Sequence, residues 1–234
     1  MNHSRALIIF AKQPLPGRVK TRLSPHLPAE AAAEFYRCML EDTVARAMSL
    51  SQVQVFLYYQ DDAGAGEYFA ALAPRVETLP QRGADLGERM ADAFADQFRQ
   101  GTDRVAIIGS DSPDLPGEYI LQAFDLLDGG NDVVFGPAED GGYYLLAMGK
   151  LWKELFTGLP WSSPELLSSS LKRAGQGDLK AALLPKWYDM DTCADLVRAM
   201  GRGGTPSAPL TDAFLRENFM PANLSGQNDT DIRG

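Results

Sequence analysis

The sequence predicts an α/β fold with a mainly parallel central sheet covered by helices on both faces. Three observations carry this. Short β-branched runs alternate with segments of helical apolar period through most of the 234 residues. That is the pattern of strands joined by right-handed helical crossovers. The runs are apolar throughout, as in strands buried on two faces. Finally, four stretches rich in charge, Gly or Pro each follow a predicted strand. A parallel sheet gathers such ends on one edge, where open α/β sheets place their ligands.

Ala6 to Ala11 is the first strand by length and β-branching. Lys12 to Leu23 is a loop, with Pro14, Pro16 and Gly17 preventing regular structure. Pro28 suits the first turn of a helix, and Ala32, Phe35, Tyr36, Met39, Leu40 and Val44 carry its period to about Met48. Gln52 to Tyr59 is a second strand, Glu67 to Leu72 a short helix, and Val76 to Leu79 an edge strand closed by Pro80. Asp85 is a fair N-cap for an amphipathic helix running to about Gln100. Val105 to Ile108 is a strand, Tyr119 to Leu127 a helix and Asp132 to Gly136 a strand. The chain turns at Gly141-Gly142 and resumes as an apolar strand. Leu151 to Phe156 reads as a short helix, and Pro160 to Pro164 as the capped start of a helix ending near Ala174. Ala181 to Leu184 is a late strand, and Asp191 or Thr192 caps a helix from Cys193 to Met200, leaving Asp189 to face the site or to form a structural pair. Residues 1–200 are read as one domain. Residues 201–234 are read as a linker, a short helix over Leu210 to Phe219 and a polar tail that is mobile or docks on a neighbour.

The chain is 45% hydrophobic and 23% charged, with a net charge of −9. That acidity argues against a nucleic-acid binder, which needs a basic face, but leaves nucleotides open. Two distant cysteines, Cys38 and Cys193, make neither a zinc ribbon nor a disulfide framework. The first apolar run is too short for a signal peptide or a membrane span, so a cytoplasmic, water-soluble protein is expected.

Two stretches carry the most chemistry. In the acidic turn Gly109-Ser110-Asp111-Ser112-Pro113-Asp114, Asp111 and Asp114 stand three positions apart. They could hold a hard divalent cation, since Mg²⁺ and Mn²⁺ prefer oxygen ligands shared with substrate phosphates. One capping the next helix and the other solvated is the simpler alternative. The loop after the first strand concentrates Lys12, Arg18, Lys20 and Arg22 in an acidic protein, a pattern suited to phosphate. It lacks the Gly-Lys-Ser/Thr ending of a Walker loop. The glycine loop Gly83-Ala84-Asp85-Leu86-Gly87 can approach a base or sugar, or can serve as a turn and cap. Glu139 and Asp140 lie at a strand end as a second metal ligand, an acceptor-binding acid or a solvated hairpin tip.

Together Phe10-Ala11-Lys12, Pro16 to Leu23, Gly109 to Pro113, Gly136 to Leu145 and Trp161-Ser162 resemble the DUF2064 family of glycosyltransferase-like proteins, associated with arsenosugar biosynthesis. The resemblance spans roughly residues 6 to 200. It implies a three-layer, Rossmann-like GT-A fold of the nucleotide-diphospho-sugar transferase type. The Lys-Thr-Arg-Leu loop and Met190 to Leu196 also resemble phospholactate guanylyltransferases and molybdopterin nucleotidyltransferases. By resemblance, Lys20 and Arg22 contact nucleotide phosphates, residues 83–87 lie near the base, Asp111 takes the metal-binding place and Asp140 faces the acceptor or the metal. The second acid of the turn stands one position later than in the Asp-x-Asp motif of sugar transferases.

The expected function is a Mg²⁺- or Mn²⁺-dependent glycosyltransferase acting from a nucleotide-diphospho-sugar on a small acceptor. Asp140, with Glu139 second, is the candidate general base. A nucleotidyltransferase releasing pyrophosphate needs the same charge pattern. A non-catalytic nucleotide-binding protein is the alternative from another class. No nucleic-acid or membrane partner is expected, and a homodimer is compatible with the sequence.

Overall fold

The computed structural model describes residues 4–201 and 207–219. Seven strands form one sheet in the order β3-β2-β1-β4-β6-β5-β7. They are β1 (Arg5–Ala11), β2 (Gln54–Tyr59), β3 (Glu77–Pro80), β4 (Arg104–Ile108), β5 (Val133–Pro137), β6 (Tyr143–Met148) and β7 (Ala181–Leu183). All neighbouring pairs are parallel except those of β6, which runs antiparallel between β4 and β5. The Gly141-Gly142 turn produces this reversal by folding β6 back as a hairpin.

The described residues form seven helices, of which α1 to α5 pack on the sheet: α1 (Ala29–Met48), α2 (Ala65–Leu72), α3 (Leu86–Arg99), α4 (Gly117–Asp128), α5 (Leu166–Gln176), α6 (Cys193–Gly201) and α7 (Pro209–Phe219). Alternate strand residues point to opposite faces. Leu7 and Ile9 pack in one core with Leu40, Val44, Phe69, Ile120 and Phe124 of α1, α2 and α4. Ile8 packs in the other core with Phe56, Met90, Phe94 and Ala174, between the sheet and α3 and α5. Both faces of β1 and β4 are therefore covered, which is why both are apolar at every position after the opening Arg5 and Arg104.

Helix α1 is buried on more than one side. Its Phe35 and Met39 turn away from the sheet into a third cluster with Leu196 of α6 and Leu215 of α7. The Phe35 and Phe214 ring centroids lie 5.3 Å apart. Asp42 of α1 accepts hydrogen bonds from the Thr211 amide and hydroxyl, both 2.8 Å, and so caps α7. The linker at 202–206 and the tail beyond 219 lie outside the described residues.

Most element boundaries agree with the sequence reading within two residues. The stretch near Leu151 to Phe156 forms only a single 3-10 turn, Lys153–Leu155. The start of α5 carries no side-chain cap: its N-cap residue is Glu165, whose side chain makes no capping bond. No helix of the described residues is long and apolar enough to cross a membrane.

This topology positions a site. The chain leaves β1 to build β2 and β3 on one side, then crosses to β4 on the other. The crevice between the carboxyl ends of β1 and β4 is the switch point where such sheets bind ligands. The loop after β1, the turn after β4 and the β5–β6 hairpin all lie on that edge.

Candidate active site

A cleft of about 620 Å³ opens at this crevice. Lys12, Arg18, Lys20 and Arg22 line it from the loop after β1, and Gly109, Ser110 and Asp111 from the turn after β4. Gln60, Gln81, Leu86, Arg89 and Met90 line the side toward β2, β3 and α3. Tyr143, Ser162, Leu166 and Asp191 complete it.

At its centre is a buried cation. The Lys20 Nζ donates to Asp111 Oδ1 at 2.6 Å and to Asp191 Oδ1 at 2.7 Å. The Lys20 side chain is 2% exposed, whereas those of Asp111 and Asp191 are 46% and 38% exposed. Burial alone lowers the Lys20 pKa, but the two carboxylates outweigh it and hold the ammonium protonated. Burial alone raises that of Asp191, and Lys20 reverses the direction. Lys20 occupies the left-handed region, φ 48° and ψ 37°, immediately before the 3-10 turn Thr21–Leu23. A side chain there carries backbone strain of the kind that collects at ligand-binding sites.

Local chemistry explains why Asp191 reaches Lys20. Thr192, not Asp191, is the capping residue of α6. Its hydroxyl lies 3.4 Å from the Asp195 amide, and Asp195 Oδ2 accepts from the Thr192 amide at 2.8 Å and the Asp191 amide at 3.2 Å. With the cap assigned to Thr192, the Asp191 carboxylate is left for the cleft. The Met190 amide donates to the Asp111 carbonyl at 2.9 Å, joining this segment to the turn after β4.

Asp189 lies on the same segment. The Ser112 hydroxyl is 2.7 Å from Asp189 Oδ1 and 2.9 Å from the Tyr188 carbonyl oxygen. Burial, then the negative charge of Asp111, pushes the Asp189 carboxyl up to about 7. A second buried contact joins the two loops. Tyr36 accepts from the Lys12 amide at 3.0 Å, and its hydroxyl lies 2.7 Å from Ser110 Oγ.

The sequence-derived residues are only partly brought together. Lys12, Arg18, Lys20, Arg22 and Asp111 share the cleft. Arg18 reaches Asp62 at 3.2 Å, and Arg22 lies 3.8 Å from Asp191 Oδ2. The expected pairing of Asp111 with Asp114 is replaced by a pairing of Asp111 with Asp191. Both Asp114 oxygens are engaged elsewhere, one by Trp187 Nε1 at 3.3 Å and one by the Tyr188 hydroxyl. The residues 83–87 serve mainly as turn, cap and packing surface. Asp85 Oδ1 accepts from the Glu88 amide at 2.8 Å. Gly83 adopts φ 141°, and a Cβ on Gly87 would lie 2.6 Å from Trp161 Nε1. Leu86 of this loop lines the cleft, together with Met90 and with Arg89, which is held to the Gly83 carbonyl at 3.2 Å. Glu139 is paired with Arg198 through both oxygens. Asp140 is exposed on the β5–β6 hairpin, with Oδ1 accepting from the Gly142 amide at 2.9 Å. Neither is among the residues lining the cleft.

Asp191 and Arg89 are the cleft residues that sequence reading passed over as such, whereas Asp189 was read as facing the site or forming a structural pair. Asp191 stood at a helix start and was read as one of two candidate caps. Arg89 lies one turn after the Asp85 cap, where helical geometry alone turns it back over the loop.

The uncharacterised bacterial protein family DUF2064 matches residues 43–163. A crystal structure from Desulfovibrio desulfuricans G20, assigned as a candidate nucleotide-diphospho-sugar transferase, is 32% identical, with a TM-score of 0.83, over 92% of this chain and 98% of that one. CMP:2-keto-3-deoxy-manno-octonic acid synthetase in complex with CTP is 15% identical, with a TM-score of 0.54, over 86% of this chain and 99% of that one. The 4-diphosphocytidyl-2C-methyl-D-erythritol synthase of Anaerococcus prevotii is 12% identical, with a TM-score of 0.59, over 86% of this chain and 96% of that one. At these identities the latter two show a shared fold. No curated protein is significantly similar in sequence. With a family model covering half of its length and a relative 32% identical across nearly all of it, the chain belongs to the DUF2064 family and has the nucleotide-diphospho-sugar transferase fold.

Proposed function

We propose that the protein is a transferase that moves a glycosyl group from a nucleotide-diphospho-sugar to the hydroxyl of a small acceptor. The observation that carries this is the Lys20–Asp111–Asp191 centre at the β1/β4 crevice, ringed by Lys12, Arg18, Arg22 and Arg89. An acidic protein has concentrated its cations where a diphosphate would sit. The name given to the 32%-identical relative supports the same donor class.

In this reading Lys12, Arg18 and Arg22 bind the diphosphate, with Arg offering paired N–H groups to phosphate oxygens. Transfer breaks the bond from sugar C1 to the diphosphate oxygen and forms one from C1 to the acceptor oxygen. The nucleoside diphosphate leaves, and the cations offset the negative charge that develops on it. The acceptor proton passes to Asp140, which stands outside the lining of the cleft but near enough to act electrostatically on Asp189, two residues from Asp191. Glu139 is less suited, because Arg198 holds both of its oxygens.

A divalent cation fits the donor set. Lys20 engages only one oxygen of Asp111 and one of Asp191, and both side chains open to the cleft. Two carboxylates completed by substrate phosphates are an ordinary Mg²⁺ ligand set. Among the described residues no three His, Cys, Asp or Glu side chains converge on a metal position, so the donor must supply part of the coordination. When bound, the cation would neutralise the leaving diphosphate.

Thermal shifts with nucleoside diphosphates, triphosphates and diphosphate sugars, with and without Mn²⁺, test the proposal. A ligand at about 100 times its Kd adds about 2.7 kcal/mol, roughly 5–10 °C for a domain of this size. The expected result is a Mn²⁺-dependent shift with one diphosphate sugar, lost in Asp111→Asn. A shift with one triphosphate alone points instead to nucleotidyl transfer. No shift with any of them refutes a nucleotide donor.

A further inference from the structure

We infer that Lys20 is a resident cation that must be displaced for the donor to bind, and that it thereby couples metal binding to diphosphate binding. The inference rests on the functional reading above and concerns how that site loads. It starts from an oddity. A lysine expected to meet phosphate is held instead by two carboxylates, at 2.6 and 2.7 Å, with only 2% of its side chain exposed. Its ammonium occupies the position between Asp111 and Asp191 where a bridging cation would be most useful.

Each ligand alone therefore meets an obstacle. A divalent ion approaching the two carboxylates meets a positive charge already hydrogen-bonded to both. A diphosphate without metal must draw Lys20 away from Asp111 and Asp191. That leaves two carboxylates unpaired beside a new anion. Arg22, 3.8 Å from Asp191 Oδ2, is too far to replace either Lys20 contact as it stands. When metal and diphosphate arrive together, both obstacles vanish. Asp111 and Asp191 would then hold the metal, and the released Lys20 ammonium would pair with phosphate. Lysine suits this exchange because it is a point charge on a flexible four-carbon stem. The exposed Lys12, Arg18 and Arg22 supply attraction that costs no existing buried pair. By linkage, each ligand then raises the affinity for the other by the same factor.

The test compares wild type with Lys20→Gln. Mn²⁺ binding is followed by the electron paramagnetic resonance of free Mn²⁺. Binding of UDP, GDP, CDP and ADP is followed by calorimetry in EDTA or with Mn²⁺, allowing for the Mn²⁺–diphosphate complex in solution. In wild type, Mn²⁺ and one diphosphate should each strengthen the other by at least about 10-fold, within the usual range of coupling. In Lys20→Gln, Mn²⁺ alone should bind at least about 10-fold tighter than in wild type, while the Mn²⁺–diphosphate pair binds more weakly. These opposite signs are the signature. A purely structural Lys20 would weaken both, and a lysine that only contacts phosphate would leave Mn²⁺ binding unchanged. Either outcome overturns the inference while leaving the donor assignment standing. No diphosphate binding under any condition would instead refute the functional reading. Should Lys20→Gln not fold, the Lys20 Nζ resonance of wild type decides. It should be unmoved by Mg²⁺ alone and shifted by Mg²⁺ with the diphosphate. A shift with Mg²⁺ alone, or none with both, overturns the exchange.

Discussion

Asp189 makes the pH dependence of stability calculable. Its carboxyl is pushed from 3.8 up to about 7 by burial and by the charge of Asp111. The folded state therefore binds a proton that the unfolded state has released. Between these two values stability falls as pH rises, because ionising Asp189 is harder in the folded protein. Stability from this group is fully present below about pH 4 and lost as pH rises through about 7. With one unit equal to 1.36 kcal/mol, the full loss is about 4 kcal/mol, and about 2–3 kcal/mol of it falls between pH 5 and pH 8. Asn cannot ionise, so Asp189→Asn removes this term. Urea unfolding of both proteins at pH 5, 6, 7 and 8, in metal-free buffer, isolates it. The variant should gain about 2–3 kcal/mol on wild type between the two extremes. A stability difference that stays constant within about 0.5 kcal/mol across that range would refute the reasoning. It would mean that Asp189 is ionised in the folded protein, stabilised by charges other than those described.

Four further outcomes are expected. Asp111→Asn should lower turnover by at least about 100-fold, the scale of losing one preorganised electrostatic element, and steady-state kinetics on the identified donor would check it. In the same assay Asp140→Asn should fall by about 100-fold or more, within the range for a lost general base, while Glu139→Gln stays within about 3-fold of wild type. The reverse order would move the base to Glu139. Gly87→Ala should cost about 1–3 kcal/mol in urea unfolding. Its Cβ would lie 2.6 Å from Trp161 Nε1 and 2.7 Å from the Phe156 carbonyl oxygen, neither the end of a flexible chain. Phe214→Ala should cost about 3 kcal/mol, because the ring is buried against Phe35 and anchors α7 to α1. Unchanged stability would show that α7 does not contribute to the folded domain.

The fold was largely legible in the chain. A strand buried on both faces must be apolar at every position, and a loop at a strand end must contain residues that stop it. Ala6 to Ala11 followed by Pro14, Pro16 and Gly17 satisfies both conditions, as does Val105 to Ile108 followed by Pro113 and Pro116. These are local constraints, so they leave a local record. The gathering of the basic loop and the acidic turn also followed, because every strand of a parallel sheet presents its carboxyl end to the same edge.

The pairing of charges within the site left no such record. Asp114 and Asp191 are both acids beside a helix start; in the sequence the first reads as a cap or a ligand and the second as a cap. Which of them meets Lys20 depends on contacts across 73 to 171 positions of sequence: Asp114 with Trp187 and Tyr188, Asp191 with Lys20. Local pattern thus determined the layers, the edge and the concentration of cations. Long-range packing determined that Lys20 lies between two carboxylates, that Glu139 belongs to Arg198, and that Gly87 makes room for Trp161. The physical reason is that periodicity and turn chemistry act between near neighbours along the chain. Hydrogen bonds and buried charge pairs instead select partners by position in space, which exists only once the sheet has assembled.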